Sequence, residues 1–330
     1  SIEIPSPAAG TVKEVLVSVN DKVNQGQLIL KLEVSDSSEA DSTDVKETKQ
    51  AAEPPAAAKE PAVSAQTATA ATAPAASTFD GESDLHAEVV VLGSGPGGYT
   101  AAFRAADLGK KVILIERYDN IGGVCLNVGC IPSKALLHTA EIINEAAEMA
   151  DHGIDFGKPK IDIKKLAAFK NKVITQLTGG LAVLAKQRKV QIVTGYGKFT
   201  SANTIEVTGN EGSKTISFDN AIIAAGSSVF KIPGLPYDDE RLMDSTGALE
   251  LADIPKRLLV IGGGIIGLEM ATVYDALGSK VSVVELSPGL IPGCDPDLVR
   301  PLMKLVKKRY ENIWLNSKVT GIESLKKGLK

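Results

Sequence analysis

Residues 87–98 read Ala-Glu-Val-Val-Val-Leu-Gly-Ser-Gly-Pro-Gly-Gly. Ala87–Leu92 is a short, nearly apolar run of the kind that forms a buried strand. The Gly93–Gly98 segment then turns the chain, Gly97–Leu108 carries a helical pattern, and Lys111–Glu116 is a second strand. The order is βαβ, with a Gly-x-Gly-x-x-Gly turn between the first strand and the helix. Gly93 permits the tight turn, Gly95 lets the backbone approach a pyrophosphate, and Gly98 allows close helix–strand packing. The helix N-terminus turns its partial positive charge toward the phosphates. Glu116 ends the second strand, where a carboxylate can accept from a ribose hydroxyl. Alone the glycine pattern is weak; between strand and helix, with an acid at this distance, it is strong. The bland alternative is a glycine-rich turn with no ligand.

The same unit recurs. Leu258–Ile261 is a strand, Gly262-Gly263-Gly264-Ile265-Ile266-Gly267 the turn, Ile265–Leu277 a helix and Lys280–Glu285 a strand. The two units begin about 170 residues apart, and each places its acid 23 residues after its first glycine. A carboxylate at Glu285, followed by Leu286-Ser287-Pro288-Gly289 and no Arg, suits the free 2′-hydroxyl of NAD and disfavours the 2′-phosphate of NADP. Gly262, Gly264, Ile265, Ile266, Gly267 and Glu285 are the expected NAD site. Two such sites suggest two dinucleotides, one plausible pair being a bound flavin and an exchanging nicotinamide.

Between the units lies Gly122-Gly123-Val124-Cys125-Leu126-Asn127-Val128-Gly129-Cys130-Ile131-Pro132-Ser133-Lys134. On an ideal helix Cys125 and Cys130 would point about 140° apart. Bonding them needs a distorted backbone, which Gly129 and Pro132 offer, and Pro132 suits a first helical turn. A helix N-terminus stabilises a thiolate, and Lys134 adds positive charge one turn on. The functional reading is a reactive dithiol beside a dinucleotide site. A zinc site would need further ligands, and His86, His138 and His152 form no ligand-spaced cluster with the cysteines. Inert core cysteines are the other bland reading. Helical stretches are expected near 132–149 and 163–188. Strands are expected at 190–193, 204–207, 215–218 and 221–225, and strand-like character at 313–319.

The rest of the chain is organised differently. Residues 1–34 carry β-formers and turns (Thr11–Val19, Leu28–Leu32), a small antiparallel unit too short to bury a core alone. Residues 35–84 hold ten acidic against three basic residues, four prolines and little that is large and apolar. Such a segment reads as a flexible Ala/Pro/acidic linker rather than a long helix. The expected domains are 1–34, the linker 35–84, 85–254 with the first nucleotide site and the cysteines, and 255–330 with the second. The fold class is α/β, two Rossmann-like three-layer domains after a β hairpin unit. A net charge of −4 without a basic block argues against nucleic acid. Three cysteines in 330 residues are too few for a disulfide scaffold. No run reads as a membrane span, and no signal peptide is visible.

The segment GGVCLNVGCIPSKALL (122–137), with AIIAAG (221–226) and GGGIIGLE (262–269), closely resembles the flavoprotein disulfide reductases, and within them the dihydrolipoyl dehydrogenases. The resemblance runs from about Ala87 to Lys330. It implies FAD on the first unit, at Gly93, Gly95, Gly98, Glu116, Gly123, Lys134, Gly197 and Gly226, and NAD on the second. It implies that Cys130 lies against the flavin as its charge-transfer thiolate and that Cys125 is the interchange thiol meeting dihydrolipoamide. Lys134 would sit by the reactive flavin nitrogen, paired with Glu269. His138 reads as an ordinary helix residue. Residues 3–10, 19–23 and 26–28 resemble the second half of a lipoyl domain, and Lys22 does not match the modified lysine.

The implied activity is reoxidation of dihydrolipoamide, carried on the lipoyl domains of 2-oxoacid dehydrogenase complexes, with hydride passing to NAD⁺. A homodimer in the bacterial cytoplasm is implied with it. The resemblance also places a lipoylated lysine before Ser1 and a catalytic His–Glu pair beyond Lys330, so the chain is expected to be a fragment with little or no turnover. The alternatives are a glutathione- or mercuric-type reductase, which Glu285 and the lipoyl-like segment disfavour, and a non-catalytic flavoprotein fused to a lipoyl-type carrier.

Overall fold

The computed structural model describes residues 11–17, 28–33, 81–210 and 212–330. The chain divides into two units, 1–71 and 72–330. Most of the expected linker, and the lipoyl-like segments 3–10, 19–23 and 26–27, lie outside the described residues.

In the first unit β1 (Thr11–Val15) pairs antiparallel with β2 (Leu30–Glu33), with an irregularity between Val12 and Glu14. Lys31 Nζ lies 2.7 Å from a Glu14 oxygen. β1 ends at Val15 and β2 begins at Leu30, so residues 16–17 and 28–29 of the expected runs are not in strands, while residues 18–19 lie outside the described residues.

In the second unit the alternation of the first fingerprint strand decides the layers. β3 (Leu85–Leu92) lies between β4 (Val112–Glu116) and β8 (Gly212–Ile223), parallel to both, and β5 (Gln191–Thr194) extends the sheet beside β4. Successive side chains on a strand point to opposite faces. Val91, Val112 and Leu114 accordingly pack with Ala102 and Phe103 of α1 (Pro96–Asp107) and Ala185 of α4 (Ile163–Gln187). Val90, Ile113 and Ile115 pack on the other face with Ile205, Val207, Ile216 and Phe218. A meander of β6 (Tyr196–Phe199), β7 (Thr204–Gly209) and β8 completes the strand order β5-β4-β3-β8-β7-β6.

β8 corrects the expected pair of strands at 215–218 and 221–225. It is one strand of 12 residues, whose first half pairs with β7 and whose second half pairs with β3. The polar Asp219-Asn220 step separates the two expected runs, but Asn220 stands opposite Val89 in the ladder. Backbone pairing with β3 carries the strand through the polar step.

The second fingerprint strand, β9 (Arg257–Ile261), lies beside β10 (Lys280–Val284), and β11 (Asn312–Trp314) follows; all three are parallel. β11 is shorter than the strand-like run expected at 313–319. The helices α6 (Ile265–Ala276) and α7 (Pro296–Arg309) pack on this sheet through Leu268, Ala271, Val306 and Tyr310. α7 was not anticipated, although Asp295 as N-cap, Pro296 at the first helical position and three basic residues in the last turn mark a helix; Pro301 inside it masks the pattern.

The two βαβ units share a core. Leu136 of α3 (Cys130–Glu148) packs with Met270, Val273 and Tyr274 of α6, and with Ala248 and Leu249 of the short helix α5 (Ser245–Glu250). Tyr274 is fully buried, and its hydroxyl donates to the Ala248 carbonyl at 2.9 Å.

Candidate active site

The first fingerprint is packed so that only glycine fits its key positions. Gly93 has φ +97°, and a Cβ there or at Gly98 would overlap backbone oxygens, of Ala224 and Gly93 respectively. Gly97 has nothing within 4 Å of a notional Cβ, and Gly95 has only the Gly123 Cα, at 3.9 Å. The turn is therefore closed toward the protein and open at the N-terminus of α1, a cradle suited to a pyrophosphate. Glu116 is buried; it accepts from the Ser94 N–H at 3.0 Å and from the Ser94 hydroxyl, and its other oxygen accepts from the Tyr118 N–H at 3.1 Å. A carboxylate has about four acceptor positions, so capacity for a ribose hydroxyl remains.

The second fingerprint repeats this arrangement. Glu285 is buried and accepts from the Gly263 N–H and the Ser287 N–H, both at 2.6 Å. Burial works to raise its pKa, but N–H groups of Ser287, Gly263 and Leu286 and the Ser287 hydroxyl outweigh burial and hold it below the usual carboxylate range. Gly262 (φ +102°) and Gly264 have open space around a notional Cβ, whereas one at Gly267 would lie 2.5 Å from the Gly262 oxygen. Ile265 and Ile266, at the start of α6, are exposed apolar side chains on this open side.

The cysteine segment is fastened to the first fingerprint. Gly122 N–H donates to the Ser94 carbonyl at 3.0 Å and to the Ser94 hydroxyl oxygen at 3.1 Å. Gly123, with φ +61°, lies so close that a Cβ would sit 2.5 Å from the Gly95 Cα. Two glycine-rich turns thus stack backbone on backbone. Ser94 was missed in the sequence; the clue was a hydroxyl residue where the second fingerprint carries Gly263.

From this anchor α2 (Gly123–Val128) carries Cys125 and stops at Gly129, whose φ −144° and ψ −114° break the helix. α3 restarts at Cys130, which occupies its first turn. The break removes the divergence that a continuous helix would impose on the two side chains. Both cysteines are free thiols, one on each side of that break. Burial, followed by the neighbouring Cys130, pushes the Cys125 thiol up to about 11, against an opposing pull from Lys134. Cys130 is exposed and Cys125 half-buried.

Lys134, one turn into α3, reaches across to α6, where its Nζ lies 2.5 Å from Glu269 Oε1. Glu269 is largely shielded from solvent and Lys134 is open to it. One ion pair therefore joins the thiol helix to the helix of the second fingerprint. His138 faces only Glu141, 3.6 Å away on the same helix.

Gly197 sits in β6 opposite Val207, and a Cβ there would press on Leu92 and Ile205. Its neighbour Gly195 donates its N–H to the Glu116 carbonyl at 2.8 Å, which brings the Gly195–Gly197 turn to the acid end of β4. Gly226 follows β8 with φ +70° and open space around it. Among the described residues no group of three or more His, Cys, Asp or Glu could hold a metal ion. No described helix is long and apolar enough to cross a membrane.

Residues 87–330 match the family model described as pyridine nucleotide-disulphide oxidoreductase, and residues 1–32 match the one described as biotin-requiring enzyme. A dihydrolipoyl dehydrogenase of Vibrio cholerae is 58% identical over 246 residues, covering 74% of this chain and 52% of that protein. One of Haemophilus influenzae is 51% identical over 247 residues, with the same coverage of each chain. Among solved structures, the copper(II) complex of the HOCl-induced flavoprotein disulfide reductase RclA from Escherichia coli has TM-score 0.64 at 27% identity, covering 74% of this chain and 52% of that one. The chain spans about half the length of the curated relatives it matches.

Proposed function

Because this chain belongs to the pyridine nucleotide-disulphide oxidoreductase family, we propose that it forms the flavin-, thiol- and nicotinamide-bearing part of a dihydrolipoyl dehydrogenase. The observation that carries the reading is the placement of Cys125 and Cys130 on either side of the helix break at Gly129, on a segment fastened through Gly122 and Gly123 to the first glycine turn. We assign residues 85–254 to FAD and 255–330 to NAD. Gly93, Gly95, Gly98, Glu116, Gly123, Lys134, Gly197 and Gly226 would hold the first group; Gly262, Gly264, Ile265, Ile266, Gly267 and Glu285 would hold the second. FAD, when bound, supplies a two-electron acceptor able to give a hydride to NAD⁺.

The residues themselves do the thiol chemistry. In the oxidised pair a thiolate of dihydrolipoamide attacks the Cys125 sulfur, and the Cys130 sulfur leaves as thiolate. The second substrate thiol, once deprotonated, displaces Cys125, closing the substrate disulfide and leaving two electrons on the cysteine pair. Cys130 occupies the first turn of α3, one turn before Lys134. Cys125, its thiol raised to about 11, keeps its proton in the dithiol state and needs a base before it can act in reverse.

The lipoyl-like segment at 1–32 and the similarity to dihydrolipoyl dehydrogenases support a role for this chemistry beside 2-oxoacid dehydrogenase complexes. A homodimer in the bacterial cytoplasm belongs to the same reading. Reductive titration of the FAD-reconstituted chain tests it. Uptake of about four electrons, two by the cysteines and two by the flavin, is expected in the wild type, falling to about two in Cys130→Ser. Equal uptake by the two proteins would exclude the cysteine pair. Preference for NADPH over NADH would favour a glutathione-type reductase.

A further inference from the structure

The ion pair between Lys134 and Glu269 is one of two polar ties between α3 and α6. The second lies further along both helices. Arg309, the last residue of α7, places Nε 2.7 Å from Asp275 Oδ2 on α6 and Nη2 2.6 Å from Asn144 Oδ1 on α3. Neither partner of the ion pair is well exposed: Arg309 is 27% and Asp275 12% accessible. Next to it, the Tyr310 hydroxyl lies 3.3 Å from Thr272 Oγ1, again on α6.

The order of the two ties along each helix shows that α3 and α6 run roughly the same way. Their N-termini, which carry Cys130 and the second fingerprint, therefore lie toward one end. Asn144 lies ten residues beyond Lys134, about 15 Å along α3 at the helical rise. One tie holds the working end, the other holds a point well behind it, and the apolar contacts of Leu136 with Met270 and Val273 lie in the same interface. A helix held at one polar point can pivot about it; a helix held at two cannot.

We propose that Arg309 is a positioning residue for the cysteine pair: by bridging Asp275 and Asn144 it fixes the pitch of α3 against α6 and so the placement of Cys130 and Lys134, which ride together on α3, relative to Cys125 on α2. The proposal rests on the reading of those cysteines as the redox pair. Guanidinium is suited to the task because its planar fork serves two acceptors at once, whereas an ammonium is a single point charge. Arg309→Lys should therefore keep the charge beside Asp275 and lose the hold on Asn144. Asn144→Leu removes the same tie from the other side.

The test measures the pH profile of iodoacetamide alkylation at Cys125 and Cys130 in the reduced full chain, with mass-spectrometric site assignment. The ionisable groups acting on Cys125 are Cys130 and Lys134, so the profile reads their mutual placement. Thermal melting is recorded in parallel. Lys134→Met serves as the reference and is expected to move the profile upward. Arg309→Lys and Asn144→Leu are each expected to move it the same way by about 0.5 pH unit, roughly a threefold lower alkylation rate near neutrality, with no further shift in the double variant. Profiles unchanged in both variants while Lys134→Met shifts would overturn the proposal and leave the redox-pair reading standing. A lowered melting temperature with a wild-type profile would mark a purely structural bridge and overturn it equally. A Lys134→Met profile identical to wild type would show that Lys134 does not act on the thiols and would overturn the inference, while electron uptake in Cys130→Ser tests the redox-pair reading separately.

Discussion

The Gly122 backbone N–H donates to the hydroxyl oxygen of Ser94 at 3.1 Å, while the Ser94 hydroxyl proton goes to Glu116. One side chain thus ties the acid of the first nucleotide turn to the start of the cysteine segment.

Removing that hydroxyl should loosen both. Ser94→Ala deletes a buried bond to a carboxylate, a change worth about 1–3 kcal/mol. Gly122 keeps its bond to the Ser94 carbonyl, so the chain should still fold. Urea unfolding should show the loss, and FAD should bind more weakly. Wild-type stability together with wild-type FAD affinity would show that the link is idle.

Gly123→Ala is expected to be harsher. The residue has φ +61°, and the new methyl would meet the Gly95 Cα at 2.5 Å, backbone that has no easy way to yield. We expect a loss of at least about 2 kcal/mol and failure to retain FAD. Gly97→Ala, where nothing lies within 4 Å, provides the mild comparison. Equal behaviour of the two variants by urea unfolding would refute the stacking of the turns.

Glu285 links stability to acid pH. Its pKa in the folded chain is held below the ordinary value of 4.5. A depressed folded value means that its contribution is present above the unfolded value and lost as pH falls through the folded one. Glu285→Gln should therefore flatten part of the loss of stability below about pH 4.5. It should also weaken NADH binding relative to NADPH, since a carboxylate no longer selects the free 2′-hydroxyl. An acid-stability curve unchanged from wild type would contradict the first expectation, and an unchanged NADH/NADPH ratio the second.

Cys125 sets the opposite limit. Its thiol is raised from an ordinary value of 9.0 to about 11. A raised folded value gives stability that is complete below the unfolded value and disappears as pH climbs through the folded one. The reduced chain should lose this contribution between about pH 9 and about pH 11, and Cys125→Ser should not. Denaturant midpoints measured across that range in the two reduced proteins check it; parallel curves would count against the half-buried thiol as the source of the loss.

Much of the site was legible from residue order because its requirements are local. Gly93 and Gly98 are dictated by sterics within one turn and the strand beside it. Glu116 and Glu285 are found at the same spacing because a βαβ unit of this size has a fixed reach. Gly129 announced the helix break because two cysteines five apart cannot meet on an unbroken helix. Other features were less legible. β8 was read as two strands because its polar step is held by partners far away in sequence. α7 was missed because an internal proline obscured its stripe. The Lys134–Glu269 pair came from resemblance to a family and not from any property of the two residues.

By itself the sequence determined the α/β class, the duplicated nucleotide units, the two acids and the dithiol segment, because strand and helix periodicities and the glycine requirement act over a few residues. Only the tertiary structure decided that Gly123 lies on Gly95, that Ser94 joins the acid to the cysteine segment, and that Arg309 ties α3 to α6. Those relationships depend on how distant helices and turns pack once the apolar faces close, and no local pattern carries that information.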